Sequence, residues 1–274
     1  MEEPRSAPSL LVIAGDAPAT LYAVHRLFDT YSTSRWILPD WSAPAPASPK
    51  QSRKAKRSLV TRLRRVLRSK LLSQTIRRRN DRIRRFLGDP GTVHRRPPDL
   101  VLNAHEFNSP PSWKSIAAWK PDLIVTAGVP ILRDPWLTMA THGCLNLHFG
   151  IAPDYRGEHT LFYPLLERRW DMLGLTIHFL DQGVDSGPVL LRGYPALDGT
   201  EDEAALWAKC SQLAARLLPG IVDDVFHGRA KSVQQNSKGR LIRYLDRSIW
   251  DELRQRYGRF TLPPRQERIE RPEQ

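Results

Sequence analysis

Short apolar runs alternating with stretches of helical spacing constrain the fold of this chain more than any other feature. Leu10–Ala14 ends at Gly15, and Asp122–Ala127 (DLIVTA) is of the same type, so both read as buried strands. Thr20–Phe28 carries Leu21, Val24, Leu27 and Phe28 at helical steps, and Trp113–Trp119 is entered through Ser109-Pro110-Pro111, a helix start. Trp36–Leu38, Leu145–Leu147, Gly174–Phe179 and Val189–Tyr194 are further strand candidates. Thr200-Glu201-Asp202-Glu203 reads as a capping box opening a helix towards Leu218. This alternation predicts an α/β fold with an open, mainly parallel sheet and helices on both faces, its ligands lying beyond the carboxyl ends of the strands. A chain of 274 residues allows one such domain over 8–230, with additions.

Two departures interrupt the pattern. Ser42–Ser52 is rich in Pro, Ala and Ser and marks the chain leaving the core. After it come sixteen Lys/Arg between Lys50 and Phe86 against one acid, Asp81, so nearly all of the net charge of +13 sits in one segment and the remaining chain is close to neutral. Leu59, Leu63, Val66/Leu67 and Leu71 recur at helical steps there, which predicts an amphipathic basic helix followed by a second basic turn, Arg77–Phe86, within an insertion spanning 42–91. Four roles are open to it: a solvated insertion, contact with acceptor phosphates, docking on an anionic membrane surface, or nucleic-acid binding. Beyond Gly228 the text turns polar, and 231–274 reads as a short extension with a loose tail.

Cys144 and Cys210 have neither metal-type nor disulfide-framework spacing and read as buried thiols. No His-Glu-x-x-His spacing accompanies the histidines, so no metal is expected. The first apolar run is too short for a membrane span or a signal peptide, which makes the cytoplasm the expected compartment.

The chemistry concentrates in Leu145–Pro188. Asn146 and His148 sit two apart on a predicted strand and so share a face. Thr176 and His178 repeat the pattern, and Asp185 follows in a Gly-flanked loop able to bring its carboxylate back to the histidines. Such a trio suits acyl transfer to an amine: an amide N–H for the oxyanion, an imidazole to move protons, and a carboxylate to tune and orient the ring. Each piece alone is ordinary; their order, with Pro153-x-Tyr155-Arg156-Gly157 between them, is not.

The run GCLNLHFGIAPDYRG…GLTIHFLDQGVDSGPVL resembles the folate-dependent formyltransferases, with the strongest likeness from about Pro121 to Tyr194. The resemblance implies a Rossmann-like formyltransferase domain, Asn146, His148 and Asp185 as the catalytic trio, and 10-formyltetrahydrofolate as donor. It also implies a folate pocket lined by Val129, Pro130, Ile131 and Leu132 and by Leu180, Asp181, Gln182, Gly183 and Val184, largely through backbone groups. Glycinamide ribonucleotide members have a Gly-Ser-Asn-type phosphate loop after the first strand; here Gly15-Asp16-Ala17-Pro18-Ala19 puts an acid there. Methionyl-tRNA members carry a C-terminal barrel, for which the 46 residues after Gly228 are too few. A nucleotide-linked amino sugar, as used in surface polysaccharide synthesis, is therefore the expected acceptor. Gln234-Gln235-Asn236 and Arg243-Tyr244 resemble the post-core segment of sugar-type members. Acceptor contacts are expected from Tyr155, Arg156, Gly157 and His178, with Tyr163, Trp170 and the insertion adding specificity. Arg156 has two readings, a phosphate ligand or a turn arginine pairing with Asp154 or Glu158. The rival functions are formylation of aminoacyl-tRNA, with the basic insertion in place of the barrel, and a non-catalytic binding module.

Overall fold

The computed structural model describes residues 7–44, 59–88, 96–258 and 261–272, so 45–58 and 89–95 of the expected insertion lie outside the described residues. The strands are β1 (Leu10–Ala14), β2 (Arg35–Asp40), β3 (Leu100–Asn103), β4 (Leu123–Ala127), β5 (Cys144–His148), β6 (Tyr155–Gly157), β7 (Leu175–Phe179), β8 (Val189–Tyr194), β9 (Arg240–Ile242) and β10 (Arg268–Glu270). The helices are α1 (Pro18–Thr30), α2 (Leu59–Leu87), α3 (Pro110–Ala117), α4 (Phe162–Leu166), α5 (Glu203–Phe226) and α6 (Ile249–Tyr257).

Eight strands form the main sheet in the order β10-β8-β7-β5-β4-β1-β2-β3. From β3 to β5 neighbouring strands are parallel, and β7, β8 and β10 each join their neighbour antiparallel. This is the expected α/β architecture. β1, β4 and β5 are buried at every position, as strands covered on both faces must be. Alternate residues serve two cores. Val12, Val125, Leu145, Leu147 and Ile177 pack with α1 and α5, while Leu11, Ile13, Ile124 and Cys144 pack with Phe107, Ile116 and Trp136.

The basic segment forms one continuous helix of 29 residues packed on α5 and α1, with no break before Arg77. Its inward side is not the expected one. Val66 and Leu71 are exposed, whereas Leu72 and Ile83, three turns apart, are buried. The helix meets α5 through its later half, where Arg79 pairs with Glu203 and Arg82 with Asp202.

The C-terminal extension is tied down rather than loose. β10 pairs with the free edge of β8 (Arg268↔Tyr194, Glu270↔Arg192), which satisfies backbone groups that would otherwise stay unpaired. Arg265 adds guanidinium bonds to the carbonyls of Trp170, Leu173 and Pro195. Helix α5 begins later than the expected capping box, because Asp202, not Thr200, accepts from the Ala205 N–H at 3.0 Å.

Candidate active site

Strand register builds a polar row across the face of the sheet that carries Cys144. Thr126 on β4 pairs with Asn146 on β5, which pairs with His178 on β7. Thr126 and His178 are fully buried and Asn146 nearly so. The Thr126 hydroxyl lies 2.8 Å from Asn146 Oδ1 and 2.9 Å from the Leu145 carbonyl, and shares its one proton between them. Asn146 Nδ2 donates to Asp185 Oδ1 at 3.1 Å and to His178 Nε2 at 3.2 Å. The opposite amide orientation would set Oδ1 against a carboxylate, so Asp185 decides it. His178 Nδ1 donates to the Phe179 carbonyl at 2.7 Å, which leaves Nε2 as the acceptor.

Asp185 reaches this row from a loop with its backbone in the left-handed region (φ +47°), a conformation that costs a non-glycine residue energy unless its surroundings fix it. They do. Arg156 donates to the Val184 carbonyl at 3.2 Å, and Gln235 Nε2 donates to the carbonyls of Asp185 (3.1 Å) and Gly187 (2.7 Å). The Gly157 N–H donates to Asp185 Oδ2 at 2.7 Å. Position 157 needs glycine, since φ is +86° and a Cβ would meet the Ile242 carbonyl at 2.3 Å.

His148, directly opposite Thr176 and almost wholly buried, completes the cluster. Its Nδ1 is 3.3 Å from Asp185 Oδ2 and its Nε2 is 2.8 Å from the Tyr155 carbonyl. Both ring nitrogens therefore face acceptors, which favours a proton on each. Burial pulls the other way and prevails: the imidazole is held below its ordinary value, with Asp185 and the Tyr155 carbonyl opposing that shift. The ring can take a second proton and releases it readily. For Asp185 burial works to raise the carboxyl, but His148 and the Gly157 N–H overcome it and hold the group well below the usual carboxylate range. The strand end is shaped to this contact. Thr176 Oγ1 donates to the Gly150 carbonyl at 2.7 Å and accepts from Ala152 N–H at 3.1 Å, and a Cβ at Gly150 would come within 2.6 Å of His148 Nε2.

The structure thus brings Asn146, His148, Asp185, Gly157 and His178 into one cluster. Arg156 does not pair with Asp154 or Glu158: besides Val184 it donates to the Gly239 carbonyl at 3.1 Å, tying two loops together. The Tyr155 ring is no acceptor contact, for it packs with Phe162, Tyr163 and Leu166, and its hydroxyl donates to Glu167 at 2.7 Å. Only its carbonyl reaches the site. Tyr163 belongs to the same cluster, and Trp170 packs against another formed by Leu165, Leu173, Leu197, Leu206 and Leu262.

The expected folate loops, Val129–Leu132 and Leu180–Val184, are bridged by Gln182 Nε2 donating to Asp134 at 2.8 Å. Ile131, Gln182 and Gly183 are exposed, and Val129, Pro130, Leu180, Asp181 and Val184 are half-buried. Leu132 is a core residue beside Trp136, so its backbone alone could meet a ligand. The Asp181 carboxylate is occupied within its own turn by Ser186 Oγ and Gly183 N–H. These loops offer apolar side chains and accessible backbone, a donor set that fits a pterin. Among the described residues no group of His, Cys, Asp and Glu is arranged to hold a metal.

Two contributors escaped the sequence. Thr126 was readable by parity, as the one polar residue inside an apolar strand opposite Asn146. Gln235 stood out only as part of the post-core segment, and its contact with the Asp185 loop depends on the chain folding back after α5 (Val233 bridges Val189).

The chain matches the formyl transferase family model over residues 83–222. It is 29% identical over 143 residues to a methionyl-tRNA formyltransferase of Myxococcus xanthus (strain DK1622), a match covering 52% of this chain and 46% of that protein. The corresponding protein of Bacillus cereus (strain B4264) is 27% identical over 139 residues, covering 50% and 44%. The match thus spans less than half the length of these curated relatives. A 4-N formyltransferase from Francisella tularensis shares the fold at a TM-score of 0.53 and 13% identity, covering 88% of this chain and 76% of that one. So does a glycinamide ribonucleotide transformylase 1 from Symbiobacterium toebii, at 0.52 and 18%, covering 85% and 99%.

Proposed function

The chain belongs to the formyl transferase family, and from that premise we propose that it transfers a formyl group from 10-formyltetrahydrofolate to the primary amine of an amino sugar carried on a nucleotide. The observation that carries the transfer reaction is the convergence of Asn146 and His148 from one strand, β5, with Asp185 from a strained loop. Bound between the 129–132 and 180–184 loops, the folate would supply the formyl carbon. The chain's residues would do the rest. Asn146 Nδ2 turns a donor towards the formyl oxygen as charge gathers there, a contact that typically contributes about 3 kcal/mol. His148 takes the proton that the attacking amine must lose and returns one to the departing nitrogen. Asp185 holds the ring in place and partly offsets the effect of burial on its basicity.

The sugar acceptor rests on two supports. Asp16 stands at the start of α1, where a phosphate-binding loop would need to be free of acid. The segment from Gln234-Gln235-Asn236 to Arg243-Tyr244, which resembles that of sugar-type members, folds over the Asp185 loop and sets β9 against β6. Formylation of an aminoacyl-tRNA is the second reading, favoured by the curated relatives and the basic α2. A mass-spectrometric screen of amino-sugar nucleotides, aminoacyl-tRNA and small amines with the folate donor decides between them. A single formyl mass gained on an amino-sugar nucleotide is expected; gain on aminoacyl-tRNA alone reverses the assignment, and gain on nothing returns the fold to a binding module.

Gln235→Ala is expected to lower kcat by roughly ten- to a hundredfold at little cost in melting temperature, because it loosens Asp185 without touching substrate. Steady-state kinetics beside a thermal melt check this, and an unchanged kcat would show that Arg156 and Gly157 hold the loop unaided.

A further inference from the structure

Helix α6 is an amphipathic helix whose apolar side is uncovered. Ser248 and Asp251 cap it reciprocally, yet none of its residues is buried. Ile249 is 44% exposed, Trp250 76%, Leu253 39% and Tyr257 74%, values far from those of a surface helix packed on a core. Trp250, Leu253 and Tyr257 follow three- and four-residue steps and so share one side of the helix. Across from them stands α2. A cavity of about 600 Å³ opens between the two helices, and Leu71 of α2 lines it together with Ile249 and Leu253, which makes these side chains parts of one surface.

That surface is cationic as well as apolar. Arg68, Arg78, Arg79, Arg82, Arg247 and Arg256 line the cavity against only Asp202, Glu203 and Glu252. All three acids are already engaged by Arg79, Arg82 and Arg247. The charge left over is positive, and α2 also carries Lys70, Arg77, Arg85 and Arg84, the last paired with Asp81.

We infer that the α2–α6 face docks on an anionic lipid bilayer, with Trp250 and Tyr257 at headgroup depth and the surrounding arginines on lipid phosphates. This goes beyond the formyl-transfer reading and stands without it. Exposed aromatic and aliphatic side chains ringed by arginines are what such an interface rewards, since apolar burial and attraction to anionic headgroups then act together. A second copy of the chain fits less well, because a twofold contact sets the same cationic patch against itself. A polynucleotide would use the arginines but leave Leu71, Ile249 and Leu253 idle. No helix among the described residues is long and apolar enough to cross a membrane, so the docking is peripheral.

The test is co-sedimentation of the full chain with vesicles of phosphatidylcholine alone and of phosphatidylcholine mixed with phosphatidylglycerol. The expected result is binding to the mixed vesicles and none to the neutral ones. The pair Trp250→Ser and Leu253→Ser should lower the bound fraction by about tenfold or more, with the melting temperature unchanged. Arg78→Glu with Arg256→Glu should abolish binding. Protein remaining in the supernatant with both vesicle types overturns the inference, as does binding that the serine pair leaves intact. A concentration-dependent doubling of mass lost in the serine pair would assign the face to a second copy, and a tRNA gel shift lost in the same pair would assign it to nucleic acid.

Discussion

Asp185→Asn is expected to lower kcat for formyl transfer on the order of a thousandfold while leaving a folded protein. The substitution keeps size and shape but turns one oxygen into a donor. In the native loop both carboxylate oxygens accept, Oδ1 from Asn146 and Oδ2 from Gly157 N–H, with His148 Nδ1 beside it. An amide there must set N–H against N–H at one of these contacts and leave a buried donor unpaired. It also removes the charge that raises the His148 pKa, so burial lowers the ring further below its ordinary value. The pH profile follows from that sign. Because the ring must be neutral to accept a proton, the acid limb of kcat in the parent should lie below 6.5, and in Asp185→Asn it should move lower still. Stability shifts in the same direction: Asp185 is depressed from 3.8, so its contribution is complete above that value and is lost as pH falls through the folded value. Rate–pH profiles of both proteins are the measurement. A variant with parental kcat, or with an acid limb moved upward, would remove Asp185 from the proposed chemistry.

Arg247→Leu is the substitution expected to cost most in stability, about 3–5 kcal/mol, or roughly 10 °C in melting temperature. Arg247 is buried and donates to both carboxylate oxygens of Glu203, at 2.8 and 2.9 Å, and also to Glu252. Its guanidinium also lies 3.6 Å over the Phe162 ring. Burial alone would raise the Glu203 carboxyl, but Arg247 and Arg79 bring it down to about 2. Without Arg247 this carboxylate stays buried with Arg79 as its remaining arginine. The loss should be largest above 4.5, where the group is ionised in both folded and unfolded chains, and should shrink as pH falls towards 2. Adding Glu203→Gln should recover part of it, since no buried charge then lacks its partner. Thermal melts of the single and double variants across that range check the claim; equal melting temperatures for Arg247→Leu and parent would refute it.

What could be read from the sequence followed from how locally each feature is determined. β1, β4 and β5 were legible because strands covered on both faces are apolar throughout, and Asn146 and His148 were placed together by parity alone. β6, β9 and β10 have three residues each and exist because a partner edge accepts them, which no local pattern announces. Val66 and Leu71 of α2 are exposed while Leu72 and Ile83 are buried, because spacing gives a helix an apolar stripe without saying which neighbour it meets. The turn pairing expected of Arg156 gave it an acid close by in sequence, Asp154 or Glu158, whereas its donors settled on the carbonyls of Val184 and Gly239, loops that only the folded chain brings near.

The dependence of Asp185 on Gln235 also bears on when the protein can first work. The family match ends at residue 222, yet the bonds that hold the carbonyls of Asp185 and Gly187 come from residue 235, and β6 finds its partner only at 240–242. A ribosome-bound chain that has exposed all the proposed catalytic side chains still lacks the clasp that sets their geometry. The proposed site therefore takes up its geometry only once residues 235–242 have emerged and folded back.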